Sequence, residues 1–153
     1  MPQPPYPAAN FSLPNAAGQT VSLADYAGKW LVLYFYPKDD TPGCTVEACS
    51  LRDTHAQLSS LGVAVVGISR DSAASHQKFT SKHNLPFTLL TDSDAAVMKA
   101  YGAWGKKMFG MEGVMRKTFI IDPSGTVRKV YGRVIPPGHG AQVAHDVSQL
   151  QAA

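Results

Sequence analysis

Cysteine is the scarcest informative residue: there are two in 153 residues, Cys44 and Cys49. Two are too few for a disulfide-stapled secreted scaffold, and too few for a self-contained four-cysteine zinc site. Charge is also sparse. Charged residues make up 16% of the chain and the formal net charge is +3. The basic residues are dispersed, and their densest spots are the pairs Lys106-Lys107, Arg116-Lys117 and Arg128-Lys129. A nucleic-acid binder concentrates such charge in a stripe or patch, so no nucleic-acid partner is expected. No basic residue precedes Lys29 and no apolar run opens the chain, whereas a secretory signal needs both. The longest apolar run, residues 30–36, falls far short of the ~20 residues that span a bilayer. A soluble cytoplasmic protein with no membrane partner is expected. In a reducing compartment, two close cysteines point to catalysis, redox chemistry or metal binding rather than to a structural bridge.

What is present is one domain's worth of apolar material, 44% of the residues, with no internal repeat and no linker. The chain is expected to form a single domain over 1–153, with the proline-rich residues 1–8 as an extended N-terminal arm. Residues 11–13 and 20–22 alternate around a turn and read as a hairpin. Residues 30–36 form a continuous aromatic and β-branched run, the signature of a strand buried on both faces. A helix should follow, capped by Thr41, with Pro42 at its first position and Gly62 beyond its end near Ser60. Cys44, Ala48, Leu51, His55 and Leu58 share one face of it. Further strands are expected at 63–68, 87–90, 118–121 and 126–130, the last two around the turn Asp122-Pro123-Ser124-Gly125. Helices are expected at 72–83, 95–101 and 140–150. Alternation of this kind predicts an α/β protein of thioredoxin-like fold: a central mixed β-sheet with helices on both faces and an N-terminal β-hairpin.

Cys44 falls in the first turn of a helix that follows a buried strand. Free N–H groups and the helix dipole favour negative charge there, and hence the nucleophilic thiolate over the thiol. Its place on the apolar face equally suits an inert buried cysteine, so spacing alone leaves both readings open.

The run Pro37-Lys38-Asp39-Asp40-Thr41-Pro42-Gly43-Cys44 has the spacing Pro-x3-Thr-x2-Cys and resembles the active-site motif of the peroxiredoxins. Its continuation Thr45-Val46-Glu47-Ala48-Cys49 resembles the bacterioferritin comigratory protein (peroxiredoxin Q) group, in which a second cysteine lies five residues on. Leu51-Arg52-Asp53, Gly67-Ile68-Ser69-Arg70-Asp71, Tyr101-Gly102-Ala103-Trp104-Gly105 and Arg116-Lys117-Thr118-Phe119 extend the likeness over nearly the whole chain. The resemblance implies a thiol-dependent peroxidase that reduces hydrogen peroxide and organic hydroperoxides. Cys44 would be the peroxidatic cysteine and Cys49 the resolving one. Thr41 would bind the peroxide oxygens, Pro37 would shield the pocket from water, and Arg116 would stabilise the thiolate and orient the peroxide. Thioredoxin is the implied reductant, and no cofactor is called for. A resolving cysteine within the chain removes the need for a second subunit, so a monomer is expected.

Other positions carry weaker expectations. Glu47 could hold a guanidinium or be a solvated surface charge. Trp104 reads as packing and His55 as a core histidine, while the remaining histidines are expected at the surface. Five helical positions separate two Cα atoms by about 8.7 Å, whereas a disulfide needs less than ~7 Å. A Cys44–Cys49 bridge therefore demands that the helix start unwind. Two rival readings are a thiol-disulfide oxidoreductase, which usually carries Cys-x-x-Cys rather than Cys-x4-Cys, and a metal-binding protein using Cys44, Cys49 and His139.

Overall fold

The computed structural model describes residues 3–107 and 110–153. Among the described residues the elements are β1 (Tyr6–Pro7), β2 (Ser12–Pro14), β3 (Thr20–Ser22), a 3-10 turn (Leu23–Tyr26), β4 (Trp30–Phe35), α1 (Pro42–Ser60), β5 (Val63–Ser69), α2 (Ala73–His83), β6 (Thr88–Thr91), α3 (Ala96–Tyr101), β7 (Trp104–Lys106), β8 (Glu112–Val114), β9 (Lys117–Ile121), β10 (Thr126–Tyr131) and α4 (His139–Ala152). Six strands form one sheet in the order β1-β10-β9-β4-β5-β6. β4, β5 and β6 run parallel, and β9 lies antiparallel to β4. The mixed sheet and its flanking helices are those the sequence pattern predicts.

β4 occupies the middle of the sheet because its residues can be buried on either face. Val32 and Tyr34, with Tyr36 just beyond the strand, join a core with α1, α2 and α4, where Leu51, Leu58, Phe79, Val143 and Val147 pack. Leu31, Leu33 and Phe35 point the other way, into a core shared with Val97, Met98 and Tyr101 of α3 and Phe119 and Ile121 of β9. β2 and β3 make the expected hairpin, which packs on that second face through Leu13 and Val21.

α4 crosses α1 at very close range. The N–H of Gly140 donates to Ser50 Oγ at 2.8 Å. A Cβ added at Gly140 would lie 2.2 Å from the Ser50 carbonyl oxygen, so only glycine permits this crossing. Thr54 Oγ1 donates to the same carbonyl at 2.9 Å. The third turn of α1 is thereby fixed to the body of the protein, immediately after Cys49.

Several expectations change. The extended N-terminal arm also joins the sheet: Tyr6 and Pro7 pair with Val127 and Thr126 of β10, which makes β1 the edge strand. An unpaired sheet edge offers backbone partners to any extended segment within reach. A second hairpin, β7–β8, was not expected, and its three-residue strands are too short to show an alternation. Thr41 stands at the N-cap of α1, but its side chain makes no cap. His76 and His139 are buried rather than at the surface. His139 is held between Thr118 and Gln142, its Nε2 2.8 Å from Thr118 Oγ1, and burial lowers its pKa. His55, expected in the core, is half-buried with its ring against Phe87.

Candidate active site

Three stretches of backbone converge at the C-terminal end of β4. β4 itself runs into Pro37. The loop after it leads through Thr41 to α1, whose first turn holds Cys44 with 1% of its surface exposed. β9 pairs with β4 so that Lys117 faces Phe35, and one step further the antiparallel register sets Arg116 beside Tyr36. That register brings the guanidinium to the sulfur.

Arg116 Nη2 donates to Cys44 Sγ at 3.3 Å, and its Nη1 donates to Glu47 Oε1 at 2.7 Å. Both contacts are charge-assisted when their acceptors are ionised. Gly43 makes room for this fork, since a Cβ there would lie 3.2 Å from Nη2. Burial works against the Arg116 charge, but Glu47 and Cys44 together hold its pKa above the ordinary arginine value. Glu47 is fully buried, so it is not the solvated helix charge that was one of its two expected roles. Its Oε2 has no hydrogen-bond partner among the described residues. Burial pushes its pKa up to about 7, against the pull of Arg116.

This has a measurable consequence. A folded-state pKa of about 7 against an ordinary 4.5 means that the native protein retains a proton the unfolded chain releases. The Glu47 contribution to stability is therefore greatest at acid pH and falls as pH rises through that window, by about 3 kcal/mol in all. Glu47→Gln should match the wild type most closely near pH 5 and gain on it by pH 8 in denaturant unfolding of the reduced protein. An equal stability difference at both pH values would contradict the buried titration.

Thr41 is half-buried, and its hydroxyl donates to the Lys38 carbonyl at 2.9 Å. Its proton is thereby committed, which leaves the Oγ1 lone pairs free to accept. The missing side-chain cap also leaves the first-turn N–H groups to act on whatever anion sits there. Pro37 and Arg116 line one shallow cleft with Lys107, Met115, Arg133 and Val134. Cys49 is half-buried further along α1, and both cysteines are free thiols. The structure thus brings Pro37, Thr41, Cys44 and Arg116 to one end of the sheet, with Cys49 more than a turn away. Among the described residues, no three His, Cys, Asp or Glu side chains stand close enough to hold a metal ion.

The sequence reading passed over Asp39 and His76, a buried pair beneath the loop that bears Pro37 and Thr41. Asp39 lies inside the motif, and His76 stands three residues before Phe79 on the inward side of α2. That helical spacing was the one signal available.

The model of the AhpC/TSA family matches residues 5–130. The chain belongs to the AhpC/TSA family. This peroxiredoxin is 52% identical over 136 residues to the bcp homologue of Coxiella burnetii, covering 87% of this chain and 90% of the relative. It is 44% identical to peroxiredoxin Bcp of Bacillus subtilis, covering 94% and 93%. Among solved structures it is similar to a Xylella fastidiosa PrxQ variant, with a TM-score of 0.89 and 35% identity over 94% of this chain and 91% of that one. It is also similar to the bacterioferritin comigratory protein of Xanthomonas campestris, studied for its alkyl peroxide reduction, with a TM-score of 0.85 and 34% identity over 91% and 90%. The peroxiredoxin has the thioredoxin-like fold of these neighbours and is a thiol-dependent peroxidase, an oxidoreductase. No helix among its described residues is long and apolar enough to cross a membrane.

Proposed function

We propose that Cys44 is the peroxidatic nucleophile and Cys49 its resolving partner, in a cytoplasmic, monomeric peroxidase recycled by thioredoxin. The observation that carries this reading is the Arg116 fork, which joins the Cys44 sulfur to Glu47 at a helix start. A guanidinium keeps its charge at any working pH, so it favours the thiolate throughout.

The Cys44 thiolate attacks the terminal oxygen of the peroxide. An S–O bond forms as the O–O bond breaks, and the departing oxygen takes a proton to leave as water or an alcohol. Cys44 becomes a sulfenic acid. Arg116 stabilises the charge that grows on the departing oxygen. Thr41 accepts the peroxide O–H and so turns the correct oxygen toward the sulfur, while Pro37 limits water at the cleft. Cys49 then displaces the sulfenic oxygen, which leaves as water, and an S–S bond joins the two residues. An external dithiol reduces that bond by exchange. The substrates are hydrogen peroxide and organic hydroperoxides, and the study of alkyl peroxides with the Xanthomonas relative supports the second class.

The test is peroxide-dependent NADPH oxidation in the presence of thioredoxin and its reductase. Turnover is expected with the wild type. Arg116→Met should lower the rate of Cys44 oxidation by about 10²–10³-fold, the usual effect of removing one preorganised charge-stabilising donor. An Arg116→Met rate within twofold of the wild type would remove the guanidinium from the mechanism.

A further inference from the structure

The loop between β4 and α1 is tied from beneath by a buried charged cluster to which the peroxidase chemistry assigns no role. Asp39 is 6% exposed and His76 is fully buried. His76 Nδ1 lies 2.7 Å from Asp39 Oδ2. The same oxygen accepts Ser75 Oγ at 2.8 Å, and Oδ1 accepts the Tyr36 hydroxyl at 2.5 Å. Three donors on one carboxyl group are what an ionised acceptor takes. The other ring nitrogen, Nε2, lies 3.1 Å from the Leu90 carbonyl, which can only accept. Both ring nitrogens of His76 are therefore engaged by oxygen partners, and Asp39 and His76 form a close hydrogen-bonded pair inside the core.

The ties extend to the neighbouring elements. The Asp39 N–H donates to Asp71 Oδ2 at 2.9 Å, and that oxygen also accepts Ser69 Oγ from β5 at 2.6 Å. Asp40, which adopts a left-handed backbone at φ 60°, pairs at the surface with Lys82 of α2. Asp39 stands between Pro37 and Thr41, and among the described residues it makes no hydrogen bond to Cys44 or Arg116. A buried pair costs desolvation, and replacing one with apolar residues is often neutral for stability. Its presence is better explained by geometry than by stability.

We propose that Asp39 and His76 are positioning residues of the peroxidase. Their buried hydrogen-bonded contact fixes the 37–41 loop on α2 so that Thr41 and Pro37 meet the peroxide at the right place, without touching the substrate or altering the Cys44 thiolate. This rests on the assignment of Cys44 and Thr41 above. The pair also gives the loop a footing independent of α1, so the loop holds its position when the helix start moves.

The experiment compares two rates at Cys44 in the reduced protein: oxidation by hydrogen peroxide, and alkylation by iodoacetamide. The first needs the loop, and the second reads only thiolate reactivity. His76→Gln and Asp39→Asn should each lower the oxidation rate by about 10-fold or more, as misplacement of a substrate-orienting group does, with alkylation within about twofold of wild type. The double variant should lose no more than the worse single one, because the two residues act as a unit. Parallel loss of both rates, or an unchanged oxidation rate, overturns the proposal while leaving Cys44 as nucleophile. Peroxide turnover by a chain lacking Cys44 overturns the underlying reading instead. If neither buried variant folds, Ser75→Ala decides. It removes one donor from Asp39 at the half-buried start of α2. An oxidation rate about threefold lower with unchanged alkylation supports the proposal, in line with the modest value of a single hydrogen bond. An unchanged ratio of the two rates overturns it.

Discussion

Cys44→Ser is expected to consume no peroxide at all, whereas Cys49→Ser should turn over once and stop. The contrast follows from where each sulfur sits. Cys44 is buried in the first turn of α1, beneath the Arg116 fork, where a negative charge meets free N–H groups and a fixed cation. A serine hydroxyl there would remain protonated at any pH the protein survives, so the fork would have no anion to stabilise and no nucleophile to present. Cys49 lies outside that helix start and has no hydrogen bond to Arg116, so its loss leaves the first chemical step intact. Cys49→Ser should therefore form one sulfenic acid per chain, captured by dimedone and counted by mass spectrometry, and then stall. Undiminished turnover by Cys44→Ser would reassign the nucleophile. Sustained turnover by Cys49→Ser would move resolution to an external thiol.

The sequence announces some of this geometry and hides the rest, for physical reasons. The β4 and β5 runs are legible because a strand buried on both faces admits almost nothing but apolar residues. The start of α1 is legible because Pro42 suits a first helical position. Pro37, Thr41 and Cys44 are legible together because they are close in sequence. Arg116 is 72 residues from Cys44, and its part depends on the β4–β9 register, which no local pattern encodes. The resemblance supplied what periodicity could not. His76 reads as a surface residue in sequence because its partners, Asp39 and the Leu90 carbonyl, lie 37 and 14 residues away. A buried histidine cannot be told from an exposed one until those acceptors are known. β1 and the β7–β8 hairpin fail for a related reason. Strands of two or three residues exist only because a partner edge is present, so their stability lies in the pairing and not in their composition.

Formation of the Cys44–Cys49 disulfide should unwind the first two turns of α1 and stop at Ser50. In the reduced protein α1 is continuous from Pro42 to Ser60, with both thiols free. Five helical steps give a rise of about 7.5 Å and a rotation of about 140°, leaving the Cα atoms beyond disulfide reach. The bond therefore requires the helix to open, and the two ends of the segment differ in how readily they do so. The start has no side-chain cap and no acidic residue in its first turn, and it includes Gly43, one of the poorest helix formers. Oxidation also replaces the thiolate that anchors the Arg116 fork. Beyond Cys49 the helix is held. Ser50 receives the Gly140 N–H and a backbone approach that no other residue permits, and Leu51 is fully buried. Amide exchange should show residues 45–53, whose N–H groups bond to the carbonyls of 41–49, losing protection in the disulfide form, with residues 54–60 unchanged. Gly140→Ala tests the boundary. Its Cβ cannot occupy the space 2.2 Å from the Ser50 carbonyl, so α4 must shift. Overpacking of this kind costs about 1–3 kcal/mol. In that variant the loss of protection should run past Asp53 into the following turn. Identical protection of residues 45–53 in the reduced and disulfide forms would mean that the helix start does not open, and the Cys44 sulfenic acid would then have to be resolved by a different partner.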